Sequence, residues 1–281
     1  MTSAKSSPQS VRVILWSAPR CMSTAFTRSI MTCEEAEVFH ENYAAAYFLG
    51  PERSDRFGKL STSVCLSPYH TYNYVKAMLQ ENMSPGKQFV FVKDFPFALQ
   101  KMYDKIPEGF VHTFLIRNPT KVFMSIRERY NTCWRRLRFG TEIQTYQPEC
   151  HLFFEELWKV YNHLKNNLKK PVLVIDVDDF LKDPDAMMQE YCQFTGIPFR
   201  RSMLSWKQRR IFEMDWTCSK PLNYLAWWFG WYDNALNSDG FHKSKRKSTI
   251  PDVSMLPPDI RQVVEVSEPY YNLLYNERLT I

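Results

Sequence analysis

The sequence predicts a single α/β domain over residues 11–281, built on a central parallel sheet of about five strands with helices on both faces. Short, continuously apolar runs alternate with stretches of helical periodicity, which is typical of a parallel sheet covered on both sides. No internal repeat or flexible linker interrupts this order, and 281 residues are enough for one large core. The polar first ten residues, MTSAKSSPQS, are predicted to form a disordered tail.

The predicted strands and helices follow one another up to about residue 200. The strands are the apolar runs 11–16, 37–40, 88–93, 110–116 and 171–176. Helices are predicted at 24–32, around AAAYFL, at TYNYVKAMLQ, and at 119–130, 149–168 and 185–195. Beyond residue 200 the sequence predicts aromatic-rich loops, NYLAWWFGWYDNAL among them, and a last helix near 259–277.

Composition and charge indicate an ordinary cytoplasmic protein. Hydrophobic residues make up 44% of the chain and charged residues 23%, and no apolar stretch reaches the roughly 18 residues of a membrane span. The N-terminal segment also lacks an apolar signal. The net charge of +6 is too small to indicate a nucleic-acid partner, although it suits a small polyanionic ligand. We therefore expect no contact with membranes or nucleic acids.

The seven cysteines predict neither disulfides nor a metal site. Their number is odd, they are scattered, and they form no C-x-x-C pair and no zinc-type spacing with histidine. H-E-x-x-H and EF-hand patterns are also missing from the sequence. We expect reduced thiols that pack in the interior, and no structural or catalytic metal.

Three cationic side chains stand at the ends of predicted strands. Arg20 follows the first strand, Lys93 ends the third, and Arg117 follows the fourth. Ligands of open parallel sheets bind beyond the carboxyl ends of the strands. Two of the three residues are followed by a helix N-terminus, whose backbone N–H groups and dipole favour an anion. The sequence thus predicts an anion site at one edge of the sheet.

The segment RNPTKVFMS (117–125) predicts a more explicit phosphate site. Asn118 suits a helix N-cap, and Pro119 suits the first helical position. Ser125 lies two turns along the same face, so its hydroxyl is expected to point back toward Arg117. An arginine fork together with a serine hydroxyl suits a phosphate group. Taken alone, the pattern fits equally well a helix start with an incidental serine.

Two segments in combination resemble the sulfotransferase family: PRCMST (19–24) after the first strand and RNPTKVFMS after the fourth. In that family a P-[KR]-S-G-[ST]-[ST] loop holds the 5′-phosphosulfate of 3′-phosphoadenosine 5′-phosphosulfate (PAPS). A later R-N-P-x5-S segment holds its 3′-phosphate. Three further segments are similar to family patterns and extend the resemblance over residues 11–198: FVKDFPFAL, DVDDFLKDP and YCQFTGIP.

The resemblance implies a P-loop-like fold, PAPS as co-substrate and 3′-phosphoadenosine 5′-phosphate (PAP) as product. It also implies a set of donor-binding residues in three segments. The first loop would hold the 5′-phosphosulfate with Arg20, Cys21, Met22, Ser23, Thr24 and Ala25. The second segment would hold the 3′-phosphate with Arg117 and Ser125, and a late basic loop would close over it with Gly240, Lys243, Lys245 and Arg246.

The sequence departs from the family at four positions that are expected to contact the donor. Cys21 and Met22 replace the usual serine and glycine of the first loop, so the loop is expected to differ in shape. Ala25 stands where many members place a tryptophan that stacks on adenine, and Val177 stands where they place a tyrosine. The adenine must therefore be held by other residues.

The resemblance further implies catalytic roles for strand-end residues. Arg20 would offset the charge on the leaving oxygen, and Lys93 would lie beside the transferring sulfonate. The catalytic histidine of cytosolic members falls at Phe95, so another residue must accept the proton. We expect this base to be Glu41, at the end of the second strand, which resembles the base glutamate of tyrosylprotein sulfotransferases in placement.

The sequence predicts a buried setting for Glu41 and offers two alternative bases. Apolar neighbours, Phe39 and Tyr43, are expected to bury Glu41 partly and to raise its pKa. His40 is the second candidate, although a lone histidine at a strand end is more often structural. Asp94 is the third, but in an extended strand it points to the side opposite Lys93.

The predicted function is transfer of a sulfonate group from PAPS to a hydroxyl of a small acceptor by in-line displacement. Aromatic segments at 69–74 and 216–232 predict an acceptor with apolar or aromatic character, and a homodimer is compatible with the sequence.

One alternative is a protein that binds PAP or PAPS without transfer. A P-loop kinase lacks support because the loop has neither the glycines nor the lysine of G-x-x-x-x-G-K-[ST]. A cysteine phosphatase loop has five residues between cysteine and arginine, whereas Cys21 and Arg28 enclose six.

Overall fold

The structure, a computed structural model, describes residues 11–53, 65–134, 148–243 and 250–281. Within these ranges the chain forms a five-stranded sheet in which all neighbouring strands are parallel, in the order β2-β3-β1-β4-β5. The predicted α/β class with a central parallel sheet is confirmed. The strands are β1 (Val11–Ser17), β2 (Ala36–His40), β3 (Phe89–Asp94), β4 (Val111–Ile116) and β5 (Val172–Asp176).

Both faces of the sheet are covered. Residues 13–17 of β1 are all buried, and so is the whole of β3. Because successive strand side chains point to opposite faces, unbroken buried runs require cover on both sides. Aromatic side chains of the helices provide part of it. Phe26 stacks on Phe91 of β3 at a centroid distance of 6.5 Å, and Tyr161 meets Phe114 of β4 edge-on at 5.5 Å.

The described residues form ten α-helices, none of them long and apolar enough to cross a membrane. The last helix packs against the fourth and fifth. The helices are α1 (Ser23–Ile30), α2 (Asn42–Leu49), α3 (Tyr72–Gln80), α4 (Pro119–Trp134), α5 (Phe153–Asn162), α6 (Val177–Phe180), α7 (Pro184–Thr195), α8 (Lys220–Phe229), α9 (Asp233–Leu236) and α10 (Pro258–Tyr275).

The helix predicted at 149–168 is divided into three parts. A 3-10 turn (Pro148–Leu152) precedes α5, and a π-helical turn (His163–Asn167) follows it. Its apolar spacing nevertheless places Leu157 and Val160 in the core, as helical periodicity requires. The buried face of this segment was therefore correctly predicted, but a continuous α-helix over residues 149–168 was not.

The chain beyond residue 200 is more helical than predicted, because it contains α8 and α9 rather than aromatic-rich loops alone. The Ser219 side chain accepts a hydrogen bond from Leu222 N at the start of α8. Gly230 ends that helix in the left-handed conformation, with φ of 65°. Both are ordinary helix start and stop signals. The prediction was wrong because it gave more weight to aromatic composition than to these signals.

Residues 203–243, here called the cover segment, are attached to β2 and to α1. Thr217 continues the pairing of β2: its N–H donates to Val38 O at 2.8 Å, and its carbonyl accepts from His40 N at 2.9 Å. The buried guanidinium of Arg28 in α1 is surrounded by backbone oxygens of the cover segment. It donates to the carbonyls of Lys207, Ala235, Leu236 and Ser238.

Replacement of Arg28 by alanine is expected to destabilise the protein by about 3 kcal/mol or more, because several carbonyls lose a charged donor at once. Arg201→Ala is the control, since that side chain is 83% exposed and, within the described ranges, pairs only with Asp185, at 3.4 Å. It is expected to change stability by less than about 0.5 kcal/mol. Urea denaturation measures both, and equally small effects would contradict the anchoring role of Arg28.

Candidate active site

The loop between β1 and α1 leaves the N-terminus of α1 open. Arg20 and Met22 adopt left-handed backbone conformations, with φ of 65° and 58°. In the part of the chain that the structure describes, no side chain caps the first turn of α1 at Met22. Uncapped N–H groups and the helix dipole favour an anion at this place. The geometry of the loop therefore suits a phosphate or sulfate group in front of α1.

Arg20, Arg117 and Ser125 meet beside this loop. Arg20 Nε donates to Ser125 Oγ at 3.1 Å, and Arg117 Nη1 donates to the carbonyl oxygen of Arg20 at 3.0 Å. Asn118 caps α4 as predicted, since its Oδ1 accepts from Thr120 N at 3.0 Å. The Ser125 hydroxyl therefore contacts the guanidinium of Arg20, whereas the sequence predicted that it points toward Arg117.

Both arginines keep unused capacity to bind an anion. Arg117 Nε is buried and has no hydrogen-bond partner among the described residues. Burial, together with the nearby charges of Arg129 and Arg117, lowers the pKa of Arg20 to about 10. Arg20 is therefore still protonated at neutral pH. Glu128 and Asp233 act in the opposite direction, but among the described residues neither Arg20 nor Arg117 forms an ion pair with a carboxylate, and two neighbouring cations of this kind favour a polyanion.

Glu41 and Lys93 form a buried ion pair at the ends of β2 and β3. Lys93 Nζ donates to Glu41 Oε1, and the Tyr232 hydroxyl donates to Glu41 Oε2 at 2.5 Å. The backbone joins the same residues, because Glu41 N donates to Lys93 O at 2.8 Å. The Lys93 ammonium also lies 3.3 Å from the centroid of the Phe95 ring. The pair is thus held from three sides.

The expectation that Glu41 has a raised pKa is wrong. Burial favours the neutral carboxyl, but the Lys93 charge, His40 and the hydrogen bonds from Lys93 and Tyr232 outweigh it. Together they hold the pKa of Glu41 below its ordinary value of 4.5. Burial lowers the pKa of Lys93 from 10.5, while Glu41 acts in the opposite direction. At neutral pH the two groups form an ionised pair.

His40, the second candidate base, is packed as an aromatic side chain. It is fully buried and stacks on Trp216 at a centroid distance of 4.2 Å with the rings nearly parallel. Burial lowers the pKa of His40 to about 3. Its Nε2 lies 3.5 Å from Glu41 Oε1. The ring is therefore neutral and supports the position of Glu41.

Asp94, the third candidate, caps α2. Its carboxylate accepts from Tyr43 N at 2.7 Å and from Ala44 N at 3.1 Å. Burial raises the pKa of Asp94 to about 7. Both oxygens are occupied by backbone donors, so Asp94 has a structural task on the side of β3 away from Lys93, as its alternation predicts.

The remaining predicted residues of the first loop pack closely around it. The Cys21 thiol is fully buried, and burial raises its pKa to about 12. Such a thiol is neutral and unreactive at physiological pH. The other loop residues are buried or half-buried at the start of α1: Met22, Ser23, Thr24 and Ala25.

The late basic loop is only partly described. Gly240 packs against the backbone, because an added Cβ would lie 2.5 Å from the carbonyl oxygen of Leu204. Lys243 forms an ion pair with Asp183 at 3.1 Å. These contacts place neither residue on Arg20 or Arg117. The other two predicted residues lie outside the described ranges: Lys245 and Arg246.

Two residues of the cover segment that sequence reasoning did not single out contact the site. The carbonyl of Trp231 accepts from Arg20 Nη1 at 2.7 Å, and Tyr232 binds Glu41. The sequence indicated only that the aromatic stretch 216–232 lines a pocket. In the ranges that the structure covers, no group of three or more His, Cys, Asp or Glu side chains is arranged to hold a metal ion.

Comparison with curated proteins gives distant relatives, and no family model matches the chain. Branched-chain-amino-acid aminotransferase-like proteins 2 and 1 of Arabidopsis thaliana are 27% and 26% identical to it over 267 and 265 residues. Each match covers 92% of this chain but 40% of the relative, so the chain spans two fifths of the length of these proteins. Their name therefore describes more than the matched part.

Solved sulfotransferase structures are similar to the chain over most of its length. The sulfotransferase domain of the curacin biosynthetic pathway is 15% identical, with a TM-score of 0.47, and 92% of this chain and 98% of that one are covered. Mouse sulfotransferase SULT7A1 complexed with PAP is 14% identical, with a TM-score of 0.46 and coverage of 96% and 90%. At this identity, TM-scores below 0.5 do not by themselves assign an activity.

Alkylation of the native protein at mildly alkaline pH is expected to leave Cys21 unmodified, because its buried thiol stays protonated. Cys65, which is only half-buried, is the internal control and is expected to react. Mass spectrometry of peptides after iodoacetamide treatment measures both. Rapid modification of Cys21 before unfolding would contradict this assignment and favour a cysteine-phosphatase reaction.

Proposed function

We propose that the protein transfers a sulfonate group from PAPS to a hydroxyl of a small acceptor. The observation that supports this most is the meeting of Arg20, Arg117 and Ser125 beside the open N-terminus of α1. The Glu41–Lys93 pair lies at the ends of β2 and β3, at the same edge of the sheet. Anion binding and proton transfer would therefore take place at adjacent positions.

In this proposal the two phosphorylated ends of the donor bind to different loops. The backbone N–H groups at the start of α1 and the guanidinium of Arg20 hold the 5′-phosphosulfate. Arg117 and Ser125 hold the 3′-phosphate, and the unpartnered Nε of Arg117 provides a free donor for it. The neighbouring positions of these groups fit one small molecule that carries two separated anions.

The transfer itself forms a bond between the acceptor oxygen and sulfur while the bond from sulfur to the 5′-phosphate oxygen breaks. Arg20 offsets the charge that grows on the leaving phosphate oxygen, and Lys93 provides a second cation beside the reacting group. Glu41 accepts the proton of the acceptor hydroxyl. Because its pKa is held low, Glu41 is already ionised at neutral pH and needs no prior deprotonation.

The surroundings of Glu41 favour an acceptor with an apolar or aromatic body. Trp216 and Tyr232 contact His40 with their rings, at 4.2 and 5.2 Å between centroids, and Phe95 lies beneath the Lys93 ammonium. A hydroxyl presented to Glu41 would therefore lie among aromatic side chains. We also place the protein in the cytoplasm, since the six cysteines with described side chains are free thiols.

A transfer assay with labelled PAPS and a panel of alcohols and phenols tests the proposal. Label in any acceptor, with release of PAP, is the expected result. Tight binding of PAP without transfer to any acceptor would instead favour a nucleotide-binding protein without catalysis. Hydrolysis of ATP in place of transfer would favour a kinase-like activity.

Glu41→Gln is expected to lower kcat by about 100-fold or more, because the proton of the acceptor loses its base. The Kd for PAP is expected to stay nearly unchanged, since Glu41 binds Lys93 and Tyr232 rather than Arg20, Arg117 or Ser125. Glu37→Gln on the same strand is the control, as its carboxylate binds the exposed Ser84. Full turnover by Glu41→Gln would remove Glu41 from the mechanism.

Arg117→Ala is expected to weaken PAP binding by roughly 10- to 150-fold, which corresponds to losing a charged hydrogen bond of about 1.5–3 kcal/mol. Arg127→Ala is the matched control, because Arg127 lies on α4, the helix that follows Arg117, and pairs with Asp259 at 3.4 Å. Isothermal titration calorimetry with PAP measures both variants. Equal affinity of Arg117→Ala and the wild type would show that the 3′-phosphate binds elsewhere.

A further inference from the structure

The carboxylate of Glu41 is held by donors from two different parts of the chain. Lys93 of β3 donates to Oε1, and Tyr232 of the cover segment donates to Oε2 at 2.5 Å. Tyr232 and Glu41 are buried, with 5% and 6% of their surface exposed, so water does not compete strongly for these bonds. Two donors on separate oxygens set the rotation of the carboxylate group.

The residue before Tyr232 is bound to the donor-binding loop. The carbonyl of Trp231 accepts from Arg20 Nη1 at 2.7 Å, so adjacent residues contact Arg20 and Glu41. A left-handed turn at Gly230 directs the chain there from α8, with φ of 65°. Residues with a side chain rarely adopt this conformation, and an added Cβ would also displace the end of the Asp233 side chain, so glycine suits the turn. The position of the Tyr232 hydroxyl is therefore set by a constrained turn.

We infer that Tyr232 is a positioning residue for the proposed sulfonate transfer, which orients the Glu41 carboxylate toward the acceptor hydroxyl. The inference rests on the proposed function, in which Glu41 is the base. Lys93 alone would leave the second oxygen of the carboxylate free to turn away. The hydrogen bond from Arg20 to the Trp231 carbonyl holds the neighbouring Tyr232 in place relative to the phosphate-binding loop.

Removal of the Tyr232 hydroxyl changes one of several interactions that set the pKa of Glu41. The other titratable groups that act on it are Lys93 and Asp94 from β3, His40 from β2 and Cys218 from the cover segment. All of them remain in a Tyr232→Phe variant. A hydrogen bond to the ionised carboxylate lowers its pKa, so loss of that bond raises the pKa. The acid limb of the activity profile then moves to higher pH.

The experiment compares Tyr232→Phe with Tyr103→Phe, the matched control, because the Tyr103 hydroxyl also donates to a carboxylate, Glu156 Oε2 at 3.2 Å, but lies outside the aromatic stretches of the predicted pocket. For Tyr232→Phe, kcat is expected to fall by roughly 10- to 150-fold, the equivalent of one hydrogen bond to a charged group. The Kd for PAP is expected to stay unchanged, and the acid limb of kcat is expected to shift upward. Tyr103→Phe is expected to match the wild type in all three measurements.

A second variant, Gly230→Ala, keeps the hydroxyl but strains the turn that places it. It is expected to lower kcat and to shift the acid limb in the same direction. Wild-type kcat and an unshifted limb in Tyr232→Phe would overturn the inference while leaving the proposed function intact. If the wild type transferred no sulfonate to any acceptor, the proposed function would fail and the inference with it.

Discussion

The buried ion pair between Glu41 and Lys93 is the interaction on which the carboxyl edge of the sheet depends. Removing each charge from water costs several kcal/mol, and loss of one partner from such a pair typically costs about 3–5 kcal/mol. The Tyr232 hydroxyl and the Phe95 ring add stabilising contacts around the charges. Apolar residues of similar volume are often as stable in such a place. A chemical task therefore explains this pair better than stability does.

Three arginines near the edge bind backbone carbonyls, and among the described residues none of them pairs with a carboxylate. Arg20 holds the Trp231 carbonyl, Arg28 holds four carbonyls of the cover segment, and Arg117 holds the Arg20 carbonyl. Carbonyl partners do not neutralise the positive charges, and for Arg20 the nearby carboxylates of Glu128 and Asp233 do so only in part. The same side chains thus stabilise the loop, α1 and the cover segment and also create a field that attracts a polyanion.

Backbone strain is concentrated at the same edge. Arg20, Met22 and Glu41 are three of the six non-glycine residues with positive φ in the described part of the chain. Such conformations cost roughly 1–3 kcal/mol each and persist only where the surrounding structure requires them. Here buried neighbours impose them at the two loops that carry the anion site and the ion pair. Strained backbone at such positions is typical of a binding or catalytic site.

The sequence by itself determined the parallel sheet and the strand-end positions of Arg20, Lys93 and Arg117, because unbroken apolar runs and turn signals are local properties. It did not reveal Tyr232, which binds Glu41 across 191 residues of chain. It also led to the wrong direction for the pKa of Glu41, since that prediction rested on the apolar neighbours Phe39 and Tyr43, whereas the Lys93 charge is remote in sequence. The pairing of β2 with β3 places the Lys93 ammonium against the carboxylate. That choice belongs to the tertiary structure, because Coulombic attraction depends on distance in space and not on separation in sequence.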